Sequence, residues 1–381
     1  MLEPLETRAL LSAATTDVDA SITSALAPTE TEALEAALVQ QQAKKAAKSL
    51  VGSLSSLTPI TTSTIPANGD LNPYGTAFVP KGFPTGGSLN PGDLLVSNFN
   101  NANNLQGTGT TIVRVTPDGQ TSTFFQGSAD LGLTTVLGVL KKGYVIVGNL
   151  PTLDGTGTTA QPGSLMILDK NGNIVTTFAA SSLIQGPWDM AINDKGSSAN
   201  LFVSNALTGA ISRLDLKISD TSVSLKSITE IASGYAHRTD PSALLLGPTG
   251  LVFHNNKLYV ASTDDNAVYV IKNAARRQTD DGIGKVAIQD NDHLHGPLGM
   301  TLTPDGHLII ANGDAINPDT NQPSTLVEYT TSGRFISQFS IDASPSAPFG
   351  IAITSDNSAI RFAAVDNNDN MVSIWTLPRK R

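Results

Sequence analysis

An all-β chain folded as a six-bladed propeller is predicted by three observations. A short tag that opens an apolar strand recurs six times: Pro73-Tyr74-Gly75, Val136-Leu137-Gly138, Pro187-Trp188-Asp189, Pro248-Thr249-Gly250, Pro297-Leu298-Gly299 and Pro348-Phe349-Gly350. The third positions of these tags lie 49 to 63 residues apart, a period that fits propeller blades better than an open sheet. Within each repeat the strands are short, rich in β-branched and aromatic residues, and separated by turn pairs such as Asp118-Gly119, Asn171-Gly172, Asp305-Gly306 and Ser332-Gly333.

The chain begins differently. Leu2-Glu3-Pro4-Leu5-Glu6-Thr7-Arg8-Ala9-Leu10-Leu11-Ser12 resembles the Leu-Glu-x-Leu-Glu-x-Arg-x-Leu-Leu-Ser leader at the start of many planctomycete-type surface and exported proteins. That resemblance covers only these first positions and implies export. The segment lacks the basic start and the apolar run of about 7–15 residues that mark an ordinary signal peptide. From Thr29 the composition turns to Ala, Gln, Glu and Lys. Thr29 and Glu32 have capping-box spacing, and Lys44, Lys45 and Lys48 suit the far end of the dipole, so a helix is expected from about Thr31 to Leu50. Residues 1–54 therefore read as an export leader, helical or disordered, with an Ala-rich linker, and residues 55–381 as the propeller.

Each blade repeats one order. The tag leads into a first strand such as Leu251-Val252-Phe253. A denser second strand follows, such as Leu258-Tyr259-Val260, then a third, such as Val268-Tyr269-Val270-Ile271. The fourth is a polar outer edge, as in Ile174-Val175-Thr176-Thr177-Phe178. The last repeat stops after its third strand, Val372-Ser373-Ile374-Trp375, which would leave the ring open at an unpaired edge. Leu57 to Ile65 has strand composition and precedes the first tag, so it is expected to complete blade six and close the ring, with Pro59 tolerated at an edge.

The Pro-x-Gly tag followed by Leu-Tyr-Val-Ala or Leu-Phe-Val-Ser-Asn resembles the NHL-repeat and gluconolactonase-like superfamily of six-bladed propellers, over about Leu57 to Trp375. The tag glycines and prolines are read as serving a tight turn onto the first strand. Gluconolactonase-like enzymes hold a divalent metal with a Glu near the first inner strand, but the first tag here reads Asn72-Pro73-Tyr74-Gly75. Glu230 and Glu328, the propeller's two glutamates, fall in an outer and a third strand. Amidating-lyase relatives place zinc-binding histidines on several blades. Streptogramin-lyase relatives use rim histidines, and His295 is the residue that would map there.

Topology puts the tags and the second-to-third loops on one rim. Asn98, Asn149, Asn205, Thr263, Asn312 and Asp366 end the second strands, one per blade. Such residues make local turns with their own backbone, or ring the channel mouth with oxygen donors for a cation or a polyhydroxyl ligand. Trp188 is either a stacking surface for a sugar or peptide ring or a packing residue. The long loops Phe99–Thr110 and Leu150–Ser164 are candidates for recognition.

His254 and His307 fall in turns on the opposite face. His237, His293 and His295 approach the rim and are the catalytic candidates. His293-x-His295 in an extended approach would put both rings on one side, with Asp290 or Asp292 as ligand or orienting carboxylate for a divalent cation, calcium or zinc. The pair lacks the third ligand that a complete metal motif fixes.

Composition narrows the partners. Charged residues are 15% of the chain and the net charge is −9, with no basic patch before Arg379-Lys380-Arg381, so nucleic acid is not the partner. The absence of cysteine removes disulfides and thiolate chemistry. No run is long enough to span a membrane as a helix. Two functions remain. One is an extracellular or cell-surface binding module, a monomer that takes a protein, carbohydrate or small molecule on its Asn/Asp-rich rim. The other is a metal-dependent lyase or hydrolase using the rim histidines.

Overall fold

Six four-stranded antiparallel sheets follow one another along the chain, and the last is completed from its beginning. The computed structural model describes residues 49–179 and 181–379. The leader, and all of the expected helix before Ser49, lie outside these residues.

Blade one comprises Leu71–Phe78, Leu94–Asn100, Thr111–Val115 and Thr121–Gln126. Blades two to five repeat this meander, starting at Leu133, Pro187, Pro248 and Pro297. Blade six is Ile351–Ser355, Ala359–Asp366 and Met371–Pro378, with Ile60–Ser63 as its outer strand. The closing register pairs Ile60 with Ile374 and Ser63 with Met371, and Thr64 N–H donates to Asn370 O at 3.0 Å. The two parts of the chain that close the ring thus share one hydrogen-bonded sheet.

Position in the blade explains the patterning. Every residue of Leu94–Asn100, a second strand, is buried, because it is covered by a neighbouring blade on each face. Such a strand reads as a continuous apolar run. The outer strand Ile174–Ala179 has no fully buried residue and reads as mixed polar. Apolar clusters join successive blades: Val136, Ile146 and Ile167 of blade two pack with Met190, Leu201 and Leu214 of blade three.

Two features depart from the sequence reading. In blade two Leu133 pairs with Asn149, as Pro73 pairs with Asn98 and Pro187 with Asn205, so Leu133 opens the blade instead of Val136. The bulge there carries one extra residue, which displaces Gly138 down the strand. The tag glycines also do a different job. Gly75, Gly250, Gly299 and Gly350 have no positive φ, so no tight turn requires them. A Cβ at Gly350 would run into Tyr74 O, at Gly299 into Phe349 O, at Gly250 into Leu298 O, and at Gly75 would lie 2.9 Å from Thr135 O. Each glycine lets the next blade's tag carbonyl close the ring around the axis.

A short helix, Leu50–Leu54, precedes the closing strand. Leu50, Val51 and Leu54 are buried against Ile309 and Leu326 of blade five and Phe362 and Trp375 of blade six. Burying three such side chains favours docking by roughly 1.5–3 kcal/mol each before ordering entropy is subtracted. Ser49 caps Gly52 N–H at 2.9 Å, and the buried Glu328 accepts from Ser49 Oγ at 2.5 Å and Val51 N–H at 2.9 Å. The chain therefore joins the propeller from Ser49, ahead of residue 55.

Candidate ligand site on the tag face

The strand-end amides act as staples. Asn98 Nδ2 donates to Thr64 O at 2.9 Å, Asn149 Oδ1 accepts from Gly132 N–H at 2.8 Å, and Asn205 Oδ1 accepts from Gln185 N–H at 2.9 Å. Asn312 holds His295 N–H at 3.0 Å and His293 O at 2.8 Å. In all four blades the amide fastens the segment that enters its own blade, where buried backbone groups would otherwise be left unpaired; Asn149, Asn205 and Asn312 use both halves of the amide, while the buried Asn98 Oδ1 has no partner. Thr263 Oγ1 donates to Pro297 O at 2.8 Å. These five side chains are buried in the protein. Asp366 is half-buried and accepts from Asn368 N–H at 3.1 Å. Burial, then the charges of Asp342 and Asp369, raise its carboxyl above the ordinary range.

The rim histidines have separate surroundings. Residues 291–293 form a turn, so the alternation expected of an extended His-x-His does not apply. His293 is half-exposed and stacks on Phe335 at 3.7 Å, with Nδ1 2.8 Å from Asp290 Oδ2. His295 is buried, and its Nδ1 has no partner. His237 is exposed, with Nδ1 3.0 Å from Tyr235 O. Burial by itself would raise the Asp290 carboxyl, but hydrogen bonds from His293, the Asp292 amide and Tyr329, with the His293 charge, hold it below the usual range. Asp292 is exposed. Among the described residues no three His, Cys, Asp or Glu side chains form a group that could hold a metal ion. His307 Nδ1 contacts Glu328 Oε1 at 2.8 Å, and His254 Nε2 contacts Asn255.

At four of the six middle tag positions the side chains are large, Tyr74, Trp188, Leu298 and Phe349, and they converge. Tyr74 stacks on Phe99 at 4.4 Å and on Phe349 at 4.0 Å. Trp188 meets Tyr74, Phe99 and Phe349 edge-on, and only 1% of it is exposed. It packs the layer and presents no face for stacking a ligand. The layer closes the axial channel on the tag side.

Above it lies a cavity of about 570 Å³. Tyr74, Leu298 and Phe349 form its floor, and Asp240, Asp314 and Asp319 stand in its walls. The walls come from three different places: the hairpin Arg238–Asp240/Leu244–Leu246 before blade four, the loop 313–323 of blade five, and the link 343–346 into blade six. Asp240 is held below the usual carboxylate range. Burial raises it, but the Ser242 and Ala243 amides and Arg238 outweigh that. Asp314 Oδ2 accepts from Ser324 N–H at 2.8 Å and Ser346 N–H at 2.9 Å, while its buried Oδ1 has no partner. Among the described residues no Lys, Arg or His lines the cavity. The long loop of blade one reaches the hairpin through Gln106 Nε2, which donates to Ser242 O at 3.1 Å.

Sequence reasoning placed recognition on this rim but not on these residues. Tyr74, Leu298 and Phe349 were visible as bulky middle residues of the tags. Asp240, Asp314 and Asp319 carry no local pattern that distinguishes them from other turn aspartates.

No family model and no curated protein matches this chain. Solved structures match it as a fold. A DUF4623 family protein from Bacteroides eggerthii aligns with TM-score 0.52 and 11% identity, over 85% of this chain and 76% of its own. An α-L-arabinofuranosidase from Fusarium graminearum, in complex with an iminosugar inhibitor, aligns with TM-score 0.50 and 13% identity over 84% of this chain and 97% of its own. Virginiamycin B lyase from Staphylococcus aureus aligns with TM-score 0.49 and 15% identity over 84% of this chain and 100% of its own. At these identities the likeness defines a class, the six-bladed β-propellers, and nothing narrower.

Proposed function

We propose that this protein is an exported, monomeric binding propeller whose ligand sits in the tag-face cavity. The observation that carries the reading is the cavity itself: about 570 Å³, floored by Tyr74, Leu298 and Phe349 and walled by acidic loops from different blades. A concave, mostly apolar space with a few placed polar groups is the usual form of a small-molecule site. Walls built from irregular loops on a rigid scaffold are where recognition is commonly carried. The leader-like start of the chain supports export.

The test is a thermal-shift screen of small amphiphilic and carbohydrate ligands against the full chain and an Ala315→Trp variant. Ala315 is exposed and lines the cavity, so the indole fills the space without disturbing the core. Ligands that stabilise the parent and lose their effect in the variant support the site. Ligands that stabilise both equally, or a screen that yields none, count against it. Among the described residues no helix is long and apolar enough to cross a membrane.

A further inference from the structure

The geometry points to a second binding site in the axial channel, for a primary ammonium group on a short apolar chain, with the Asp189 carboxylate as its anchor. The channel space is about 280 Å³. Tyr74 and Phe349 line both this space and the tag-face cavity, so the aromatic layer is the ceiling of one and the floor of the other. The lining follows the first strands down to Phe78, Ile192, Phe253, Leu302 and Ile353, so the channel faces the side opposite the tags. Met190, Val252, Met300 and Ile351 are among the side chains that line it, while most of the surface left exposed within it is polar.

Asp189 occupies the position held by Gly75, Gly250, Gly299 and Gly350 in four other blades. The repeat has no packing use for a carboxyl there. Its Oδ1 accepts from Met190 N–H at 2.7 Å, and the Leu251 amide also donates to the carboxylate. The hydroxyl of Thr76, which lines the same space, has no hydrogen-bond partner. Among the described residues no Lys, Arg or His lines the channel. A single carboxylate matches the charge of a primary ammonium ion, the Thr76 hydroxyl and the polar lining can accept from its three N–H donors, and the apolar side chains between them suit a short alkyl chain. The volume lies near the lower end of small-molecule sites, roughly 300 Å³, so a short chain is implied.

Binding is coupled to a proton. Burial among the first strands pushes the Asp189 carboxyl up to about 8, against the opposing Met190 and Leu251 amides. The neighbouring blades present Thr135 and Leu251 to it, neither of which titrates. Tyr74 is the other ionisable lining residue, and burial pushes it up to about 12, so it stays neutral. An ammonium ion that pairs with Asp189 therefore displaces a proton from it.

Calorimetric titration of the full chain with n-butylammonium chloride tests this, with n-butanol as the uncharged control. Between pH 6 and pH 8 the apparent affinity should rise about 50-fold, with about one proton released per ligand at pH 6, and it should level off above pH 8. Asp189→Asn and Asp189→Gly should abolish binding. The glycine variant restores the residue of the other tags and so separates loss of the anchor from loss of the fold. Ala315→Trp, which fills the tag-face cavity, should leave butylammonium binding unchanged. The inference is overturned by affinity that does not change with pH, by equal binding of n-butanol, by binding retained in Asp189→Gly, or by no binding at pH 9.

Discussion

Replacing Asp189 with Asn should make the protein more stable at neutral pH, and the size of the effect follows from where the carboxyl sits. Among the first strands its folded-state pKa is about 8, against 3.8 for the free group. Between those values the native state keeps the proton and the unfolded chain loses it, so the unfolded state binds fewer protons and stability falls as pH rises. Each pH unit in that window costs about 1.4 kcal/mol, so the span from pH 5 to pH 7 costs about 3 kcal/mol. Asparagine removes this dependence and keeps an oxygen for the Met190 amide. Urea unfolding of both proteins at pH 5 and pH 7 provides the measurement. Other titrating groups are common to the two chains, so the difference of differences isolates Asp189, provided the m values agree. The parent should lose about 3 kcal/mol relative to the variant over this span. Parallel pH profiles would refute the placement of the carboxyl in a desolvated channel.

Three further outcomes test the framework. Asn312→Ala leaves the His295 N–H and the His293 carbonyl without their partner in a buried setting, and should cost about 2–4 kcal/mol in chemical denaturation; an unchanged midpoint would sink the staple role. Gly350→Ala should cost at least about 3 kcal/mol, because its Cβ meets the Tyr74 carbonyl, while Gly138→Ala should cost under about 1 kcal/mol, because its Cβ meets the movable ends of Met190 and Ile192. Equal costs at the two glycines would contradict the blade-contact explanation. Glu328→Gln should weaken its contacts to Ser49, Val51 and His307 and speed amide exchange through Leu50–Leu54 while the blades stay protected; unchanged exchange would contradict anchoring by this carboxylate.

Much of the fold was legible because strand periodicity and repeat spacing are local signals. The pairing of Ile60 with Ile374 followed from a blade that lacked its fourth strand and a spare strand at the other end of the ring. The blade-two tag was misplaced because Val136-Leu137-Gly138 imitates the pattern, and the bulge that shifts it is set by pairing with Asn149, which no local motif encodes. The His293-x-His295 expectation assumed extended backbone, and the turn at 291–293 removes that assumption. The acidic walls of the tag-face cavity have no local signal, because Asp240 is far in sequence from Asp314 and Asp319 and the three share a wall only after the loops fold over the aromatic layer.

The tags hold the functional argument together because one tripeptide sets three surfaces. Its first residue pairs with the strand end that the Asn staples secure, and its middle side chain builds the layer between the two cavities. Its third residue meets the next blade's carbonyl. Selection for ring closure alone would place a small residue at that third position in every blade. Blade three departs from this with Asp189, and its carboxyl points into the channel at the cost of burying an ionisable group. A residue that opposes both the packing rule and desolvation is where strain is commonly kept for a functional reason.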